Sequence, residues 1–208
     1  MVLCELPIRG AFIIRPEPQT DSRGFFARYW CKREFTAHGL NGDIVQCSIA
    51  FNRKRGTVRG LHYQAPPHAE VKLVRCTAGG IYDVLVDLRP GSDTYGKWFA
   101  TDLTSRNHLM LYIPEEVAHG YQTLMDDTEV SYQMSAFHEP SAACGIRYDD
   151  PSIGAPWPLP VTIVSARDKA WPPFNRQFSP RGDGRREGGQ ATSVPRAERE
   201  SITRSKEW

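Results

Sequence analysis

Two side chains that could exchange protons or carry charge stand inside segments otherwise suited to β strands. His62 lies in TVRGLHYQ (residues 57–64) and Lys72 lies in VKLVRC (residues 71–76), and a proline-rich turn separates the two segments. An imidazole changes its charge near neutral pH, and an ammonium group is a compact positive charge. Either both side chains face water, or both face inward and take part in a reaction.

Strand periodicity indicates which side chains share a face. His62 shares its face with Gly60 and Gln64, and Lys72 shares its face with Glu70, because side chains alternate along a strand. Periodicity alone does not say which face is interior. It does allow His62 and Lys72 to line one cavity without unusual backbone geometry.

The body of the chain has the pattern of a β protein. Nine segments of about five to ten residues are enriched in β-branched and aromatic types, and turn residues separate them. A single helix is predicted at CKREFTAHG (Cys31–Gly39), where Gly39 is the terminating residue. Many short strands at roughly even spacing predict an all-β fold, a sandwich or barrel of the jelly-roll kind. The nine segments are GAFIIRP, DIVQCSIAF, GTVRGLHYQ, AEVKLVRCTAG, GIYDVLVDLR, GKWFATDLT, HLMLYIP, AHGYQTLMD and TEVSYQMSAF.

Length and composition predict one domain followed by a polar tail. A chain of 208 residues with 40% hydrophobic residues can build one sizeable core. The end of the chain is rich in Gly, Arg, Ser and Glu, so we expect a domain over 1–174 and a disordered tail over 175–208. The formal net charge of +2 is too small to favour nucleic acid as a partner.

The cysteines and the hydropathy favour a cytoplasmic location. The five cysteines form no CxxC pair, and the first residues lack the layout of a secretory signal, so we expect reduced thiols. No apolar run approaches the ~20 residues needed to span a bilayer, so we expect no membrane partner.

Seven motifs in the body, taken together, resemble one known family. They are DSRGFFARYW (21–30), VRGLHYQ (58–64), VKLVRC (71–76), GGIYDVLVDLRPGSDTYGKW (79–98), IPEEVAHGYQTL (113–124), IRYDDPSIGAPWP (146–158) and IVSARD (163–168). Their order and spacing resemble the dTDP-4-dehydrorhamnose 3,5-epimerase family, cupin-fold enzymes of deoxysugar biosynthesis. The resemblance covers about residues 10–174, and the agreement of several independent motifs makes it specific.

The resemblance implies a fold, an assembly and a reaction. The fold would be a cupin-like jelly-roll β-barrel and the assembly a homodimer, with neither a metal nor an organic cofactor. The substrate would be a nucleotide-linked 4-keto-6-deoxyhexose, in which removing a hydrogen next to the ketone gives an enolate. Inverting such a carbon requires a base on one ring face, a proton donor on the other, and a positive group near the enolate oxygen.

The resemblance also implies four catalytic residues. His62 is implied to be the base, and Asp168 its partner, which fixes the tautomer and favours the imidazolium. Lys72 is implied to meet the enolate oxygen, and Tyr132 to reprotonate the opposite face. Each of these side chains, taken alone, is more often structural. Their joint occurrence favours catalysis.

Eight further residues are implied to contact the substrate. Arg23 and Arg59 resemble forked donors to the diphosphate, and His119 resembles a further substrate contact. The other five positions of the same pocket are Gln46, Ser48, Arg28, His138 and Arg167.

Four pocket positions depart from the family pattern. Arg28 stands where a glutamate is usual, Ser48 where an asparagine is usual, and Ala143 where the family has a pocket glutamate. His138 replaces the aromatic residue, usually tyrosine, that stacks on the nucleotide base. We therefore expect altered recognition of the thymidine end, or a different sugar, with the reaction type retained.

Three other interpretations remain open from the sequence. One is a single-site epimerase or ketoisomerase acting on a different nucleotide-linked keto-sugar. Another is a metal-dependent cupin that uses His62, His68, Glu70 and His119, although the six-residue interval between His62 and His68 contains two prolines and argues against it. The third is a non-catalytic barrel that binds a sugar nucleotide.

Overall fold

Short strands make up most of the regular secondary structure in the described part of the chain, which is residues 1–174 of a computed structural model. The predicted disordered tail lies outside the described residues. The elements are β1 (Val2–Glu5), β2 (Phe12–Arg15), β3 (Gln19–Asp21), β4 (Gly24–Phe26), α1 (Lys32–Ala37), β5 (Gln46–Asn52), β6 (Thr57–Gln64), β7 (Lys72–Ala78), β8 (Gly80–Asp87), β9 (Trp98–Thr104), β10 (Met110–Ile113), β11 (Val117–Thr123), β12 (Thr128–Met134), β13 (Ala143–Gly145), β14 (Ile163–Val164) and α2 (Ala166–Lys169).

Two large sheets form the body of the fold. The first sheet has the order β1-β2-β10-β7-β12-β5, and the second has the order β13-β6-β11-β8-β9. Nearly all neighbouring strands are antiparallel; the exception is β14, which pairs with β6 in parallel. A separate hairpin consists of β3 and β4.

The main core lies between the two sheets. Inward-facing apolar side chains such as Ile13, Val74 and Leu111 of the first sheet pack with Ile81 and Leu85 of the second. This mutual burial of alternate residues is what the strand periodicity requires of a two-layer β fold.

The outer faces of the sheets are covered differently. Side chains from residues 146–174, among them Ile153 and Phe174, pack on the outer face of the second sheet. As a result β8 is buried along its whole length, which explains its nearly continuous apolar sequence. Helix α1 covers part of the first sheet through Phe35.

The structure confirms the all-β prediction and refines its details. The predicted helix Cys31–Gly39 is α1, Lys32–Ala37, and Gly39 follows it with a φ of 70°. Strands β13 and β14 and helix α2 escaped the sequence pattern because they have only two to four residues each. Within residues 1–174, no helix has the length and apolar character of a membrane span.

Candidate active site

A cavity of about 480 Å³ opens beside β6 and contains many of the residues singled out in the sequence. His62 and Arg59 contribute from β6, and Lys72 contributes from the start of β7. Arg167 and Asp168 reach the cavity from α2. Two strands that are close in sequence and a helix that is distant in sequence therefore meet at one site.

The backbones of β6 and β11 approach each other closely, and this contact fixes the position of β6. A Cβ on Gly120 would lie 2.6 Å from the carbonyl oxygen of Arg59, and a Cβ on Gly60 would lie 2.5 Å from the Cα of Gly120. Gly60 also has a φ of 126°, which side chains rarely tolerate. At this point the register shifts, so that His62 is opposite His119 and Arg59 is opposite Tyr121.

The strongest polar contact in the cavity joins His62 to Asp168. The Nε2 atom of His62 lies 2.6 Å from Oδ1 of Asp168, although 106 residues separate them. Helix α2 positions the carboxylate, because the hydroxyl of Ser165 caps the helix by accepting a hydrogen bond from the Asp168 amide. The amide of Gly60 also points to Asp168, at 3.4 Å from Oδ2.

The protonation of this pair follows from its surroundings. Burial opposes ionisation of Asp168, but the hydrogen bond and charge of His62 outweigh it and lower the pKa of the carboxyl group. An ionised carboxylate only accepts hydrogen bonds, so we infer that Nε2 of His62 carries the proton. In the neutral ring the lone pair then lies on Nδ1, where it can act as a base. The His62 side chain is 39% exposed, and a substrate can reach it.

Lys72 is held beside this pair by two contacts. Its Nζ atom lies 3.2 Å from Oε1 of Glu70 and donates to the His62 carbonyl oxygen at 3.4 Å. The Lys72 and Glu70 side chains are only 13% and 8% exposed. The amino group of Lys72 is therefore oriented by Glu70 and lies beside the backbone of His62.

A second histidine–carboxylate pair lies deeper between the sheets. The Nε2 atom of His119 lies 2.9 Å from Oδ2 of Asp83, and both side chains are almost fully buried. Burial raises the pKa of Asp83, and His119 offsets this only in part. The other oxygen, Oδ1, has no hydrogen-bond partner among the described residues.

Tyr132 comes from the opposite sheet and faces the same interior. It packs against the main core, and its ring meets the His119 ring edge to face at 6.1 Å between centroids. Burial raises the pKa of Tyr132 well above its usual value, and the neighbouring Tyr121 adds to the effect. His62 and Tyr132 therefore project from the inner faces of facing sheets.

The remaining predicted contacts divide into two groups. His138 lines the cavity, and its amide donates to Oε1 of Gln46 at 3.0 Å, while Ser48 is the cross-strand partner of Tyr132. Gln46 and Ser48 do not themselves line the cavity. Arg23 and Arg28 also lie outside it. They are exposed and pair with the nearby carboxylates of Asp21 and Glu34, respectively.

Sequence comparison identifies the family to which such a site belongs. The profile of the dTDP-4-dehydrorhamnose 3,5-epimerase family matches residues 5–176. The chain belongs to this family. A 3,5-epimerase of Sinorhizobium fredii is 39% identical over 173 residues, which cover 83% of this chain and 89% of that protein. One of Methanothermobacter thermautotrophicus is 41% identical over 168 residues, covering 79% and 90%.

Solved structures of the family agree with the fold. The Elizabethkingia anophelis dTDP-4-dehydrorhamnose 3,5-epimerase superposes with a TM-score of 0.82 at 34% identity, covering 86% of this chain and 98% of that one. ChmJ, a 3'-monoepimerase of Streptomyces bikiniensis solved with dTDP-quinovose, gives a TM-score of 0.75 at 29% identity, covering 81% and 85%. This member of the 3,5-epimerase family is thus an isomerase.

Several residues of this epimerase-family site were not singled out as functional from the sequence. Trp171 lines the cavity, with its ring 6.1 Å from the His62 ring and 5.3 Å from the Arg167 guanidinium. Gly145 leaves room for it, since a Cβ there would lie 2.7 Å from the indole. A tryptophan in a loop gives no periodic signal, so spacing alone could not have found it.

Three of the four residues considered for a metal take other partners in this family member. His62 pairs with Asp168, His119 with Asp83, and Glu70 with Lys72. Over residues 1–174, no three His, Cys, Asp or Glu side chains cluster closely enough to hold a metal ion.

Proposed function

We propose that this isomerase inverts both carbons that flank the ketone of a dTDP-linked 4-keto-6-deoxyhexose. The observation that carries the proposal is the His62–Asp168 pair at 2.6 Å, facing a cavity that Lys72 also lines. The relatives named as dTDP-4-dehydrorhamnose 3,5-epimerases support the same reaction for this chain.

His62 is the proposed base for the first step. Its Nδ1 atom removes a proton from the carbon next to the ketone, and the electrons of that C–H bond move into the enolate. Asp168, already ionised, stabilises the imidazolium that forms, because an opposite charge within hydrogen-bond distance favours the charged ring.

Lys72 is the proposed partner of the enolate oxygen. Its ammonium group is nearly buried and fixed by Glu70, so it does not need to reorganise when the charge develops. A partly desolvated cation interacts more strongly with an oxyanion than an exposed one does.

Tyr132 is the proposed proton donor on the opposite ring face. It belongs to the first sheet, whereas His62 belongs to the second, so a sugar ring between the sheets would have one group on each side. The raised pKa of Tyr132 keeps its hydroxyl protonated until a strongly basic carbanion requires the proton.

The nucleotide end is proposed to lie along Arg59, Arg167 and His138. Forked guanidinium groups suit phosphate oxygens, and all three side chains line the cavity. His138 and Ala143 are expected to weaken the contacts made to thymidine. His138→Tyr should therefore tighten dTDP binding, measured by calorimetry; unchanged or weaker binding would contradict this account of the base pocket.

A homodimer is the proposed assembly. Strand β5 is an edge of the first sheet and exposes Ile49 (69%) and Phe51 (51%), an arrangement that favours pairing with a second chain. The β3–β4 hairpin exposes Phe25 and Phe26 as well. Arg23 lies in the turn of that hairpin, so it could reach the cavity of a second copy docked at this surface.

Light scattering and subunit mixing test the assembly. The native chain should have the mass of a dimer, and Phe51→Lys should shift it toward monomer. A mixture of Arg23→Ala and His62→Ala chains should regain activity if Arg23 serves the partner's cavity, because one mixed site is then complete. A monomeric native protein would contradict the proposal.

The reaction is tested with dTDP-4-keto-6-deoxyglucose in deuterated water, followed by NMR of the sugar. Deuterium and inversion at both flanking carbons are expected. Label at one carbon alone would favour the second candidate, a single-site epimerase, for which the likeness to the 3'-monoepimerase ChmJ is the specific support.

Two other outcomes would redirect the assignment. Stoichiometric, tightly bound metal in the purified protein would favour the metal-dependent cupin. Binding of sugar nucleotide without any exchange would favour the non-catalytic barrel. The cytoplasmic location remains a prediction that fractionation of cells can test.

A further inference from the structure

A buried polar network connects the cavity to the interior face of the first sheet. Its centre is Asn52, at the end of β5, which is only 3% exposed. The Oδ1 atom of Asn52 accepts a hydrogen bond from Nε of Arg59 at 2.8 Å. Its Nδ2 atom donates to the hydroxyl of Tyr121 at 3.2 Å and to the carbonyl oxygen of Thr128 at 3.1 Å.

Tyr121 carries the network onward to the proposed proton donor. Its side chain is 1% exposed, and its hydroxyl also lies 3.3 Å from Oδ1 of Asn52. Tyr132 packs against the core cluster that contains Tyr121, and both tyrosine rings contact the ring of His119, at 6.3 and 6.1 Å between centroids. Arg59, Asn52, Tyr121 and Tyr132 thus form one continuous chain of contacts, which runs from the cavity wall to the acid.

This network is polar where the core around it is apolar. Tyr121 belongs to the main core cluster, which otherwise consists almost entirely of aliphatic side chains and Phe99. A buried hydroxyl without a partner would destabilise the fold, so its hydrogen bonds fix where the oxygen can lie. Tyr132, the group that must release a proton and then carry a negative charge, packs against the same cluster.

We propose that Tyr121 and Asn52 are positioning residues for the proton donor, linking Tyr132 to the cavity arginine Arg59. The inference rests on the proposed epimerase reaction and extends it to two residues that do not touch the sugar. Tyr121 acts through Tyr132, and Asn52 holds Tyr121 and Arg59 in a fixed relation.

Protons are conserved over the proposed step. When Tyr132 gives its proton to the enolate carbon, a C–H bond forms and the phenol becomes a phenolate. The hydroxyl of Tyr121 can turn from Asn52 toward this phenolate and donate a hydrogen bond to it, while Arg59 continues to satisfy Asn52. Tyr132 then regains a proton from water, and the imidazolium of His62 returns one to water, so that no net charge accumulates.

Deuterium exchange and inversion of the carbon depend on different side chains, so comparing them tests the proposal. Deuterium enters a carbon whenever His62 removes a proton, exchanges with solvent and returns a deuteron to the same face. Inversion requires Tyr132 on the opposite face. A residue that positions Tyr132 should therefore lower inversion relative to exchange, whereas a residue that only supports the fold should lower both together.

The test compares Tyr121→Phe with the wild type on dTDP-4-keto-6-deoxyglucose in deuterated water. The ratio of inversion to exchange should fall about 10- to 100-fold, the effect of removing one hydrogen bond to a group that becomes charged. Tyr112→Phe is the matched control, because it also removes a buried tyrosine hydroxyl, which accepts from the Asn41 amide at 3.0 Å on the far side of the first sheet. Its ratio should equal that of the wild type.

Two further variants separate positioning from folding. Asn52→Ser cuts the link between Arg59 and Tyr121 but keeps both tyrosines, and it should lower the ratio in the same direction. In the Tyr132→Phe background, Tyr121→Phe should have no further effect on the ratio, since its partner is gone. Thermal melting shows whether each variant is folded.

The possible failures are distinguishable. If the wild type exchanges no deuterium into the sugar, the proposed function itself is wrong. If the wild type inverts normally and Tyr121→Phe keeps the same ratio of inversion to exchange, the reaction stands and the positioning role is wrong. A further drop of the ratio on adding Tyr121→Phe to Tyr132→Phe would also overturn it.

Discussion

The molecule contains the same chemical pair twice, in two different settings. His62–Asp168 and His119–Asp83 are both histidine–carboxylate pairs bonded through Nε2, and the two histidines are cross-strand neighbours on β6 and β11. The His62 side chain is 39% exposed and faces the cavity, whereas that of His119 is 5% exposed. The difference teaches that access to a substrate, not the pair itself, distinguishes the proposed catalytic dyad from the pair that is buried in the interior.

Removing the exposed histidine should have the largest effect on activity. His62→Ala is expected to lower the rate of deuterium exchange by about 10²- to 10⁴-fold, because general acid–base groups contribute roughly that much. Its melting temperature should change little, since the side chain is only half-buried. His68→Ala, at an exposed position, is the control and should retain activity. Equal losses in both variants would instead favour the metal-dependent interpretation.

Removing the buried carboxylate should have the larger effect on stability. Asp83→Ala leaves His119 without its partner in the interior, and breaking a buried pair costs about 3–5 kcal/mol of unfolding free energy. Urea unfolding measures this loss. Asp93→Ala, an exposed aspartate, should change stability by no more than about 0.5 kcal/mol. A similarly small change for Asp83→Ala would show that the two pairs do not differ in their contribution to stability.

The two carboxylates should respond oppositely to pH. The pKa of Asp168 is lowered, so its contribution to stability is present above the unfolded value of about 3.9 and is lost as pH falls through the folded value. The pKa of Asp83 is raised, so its contribution is present below about 3.9 and is lost as pH rises through the folded value.

Unfolding of the wild type, Asp168→Asn and Asp83→Asn across this range measures both contributions. The advantage of the wild type over Asp168→Asn should shrink in acid, and its advantage over Asp83→Asn should shrink toward neutral pH. The same trend for both variants would remove the electrostatic distinction between the pairs.

The smallest effect on activity is expected for Trp171, which lines the cavity beside the His62–Asp168 pair. Trp171 packs between His62 and Arg167, and its Nε1 atom has no hydrogen-bond partner among the described residues. Trp171→Phe keeps a ring but weakens the contact with Arg167, and KM should rise about two- to fivefold, the equivalent of one modest cation–π contact. The exchange rate at saturation should stay close to that of the wild type. A large fall in that rate would mean that Trp171 orients His62 directly.

Much of the fold was predictable because alternation in strands is a local property. The same alternation placed His62 and Gln64 on one face, and Gln64 is in fact buried, bridging the His68 and Phe137 carbonyl oxygens. Asp83 could also have been suspected, since it is a charged residue in the middle of a mostly apolar strand.

Other features of the site depend on contacts that no local pattern encodes. The partnership of Asp168 with His62 came from a family resemblance, and its geometry depends on the two-residue strand β14 and the four-residue helix α2. The Arg59–Asn52–Tyr121 network joins three strands through side-chain hydrogen bonds. The sequence places these residues near strand ends but gives no reason for their meeting.

The parallel pairing of β14 with β6 has a consequence for protein synthesis. The ribosome releases His62 and both sheets' long strands well before Asp168, which follows His62 by 106 residues. Because a domain generally folds as a unit, the His62–Asp168 pair can form only after the ribosome has released the segment that carries β14 and α2. The proposed catalytic dyad is completed when that segment docks on β6, so we expect a chain whose translation stops short of it to lack activity.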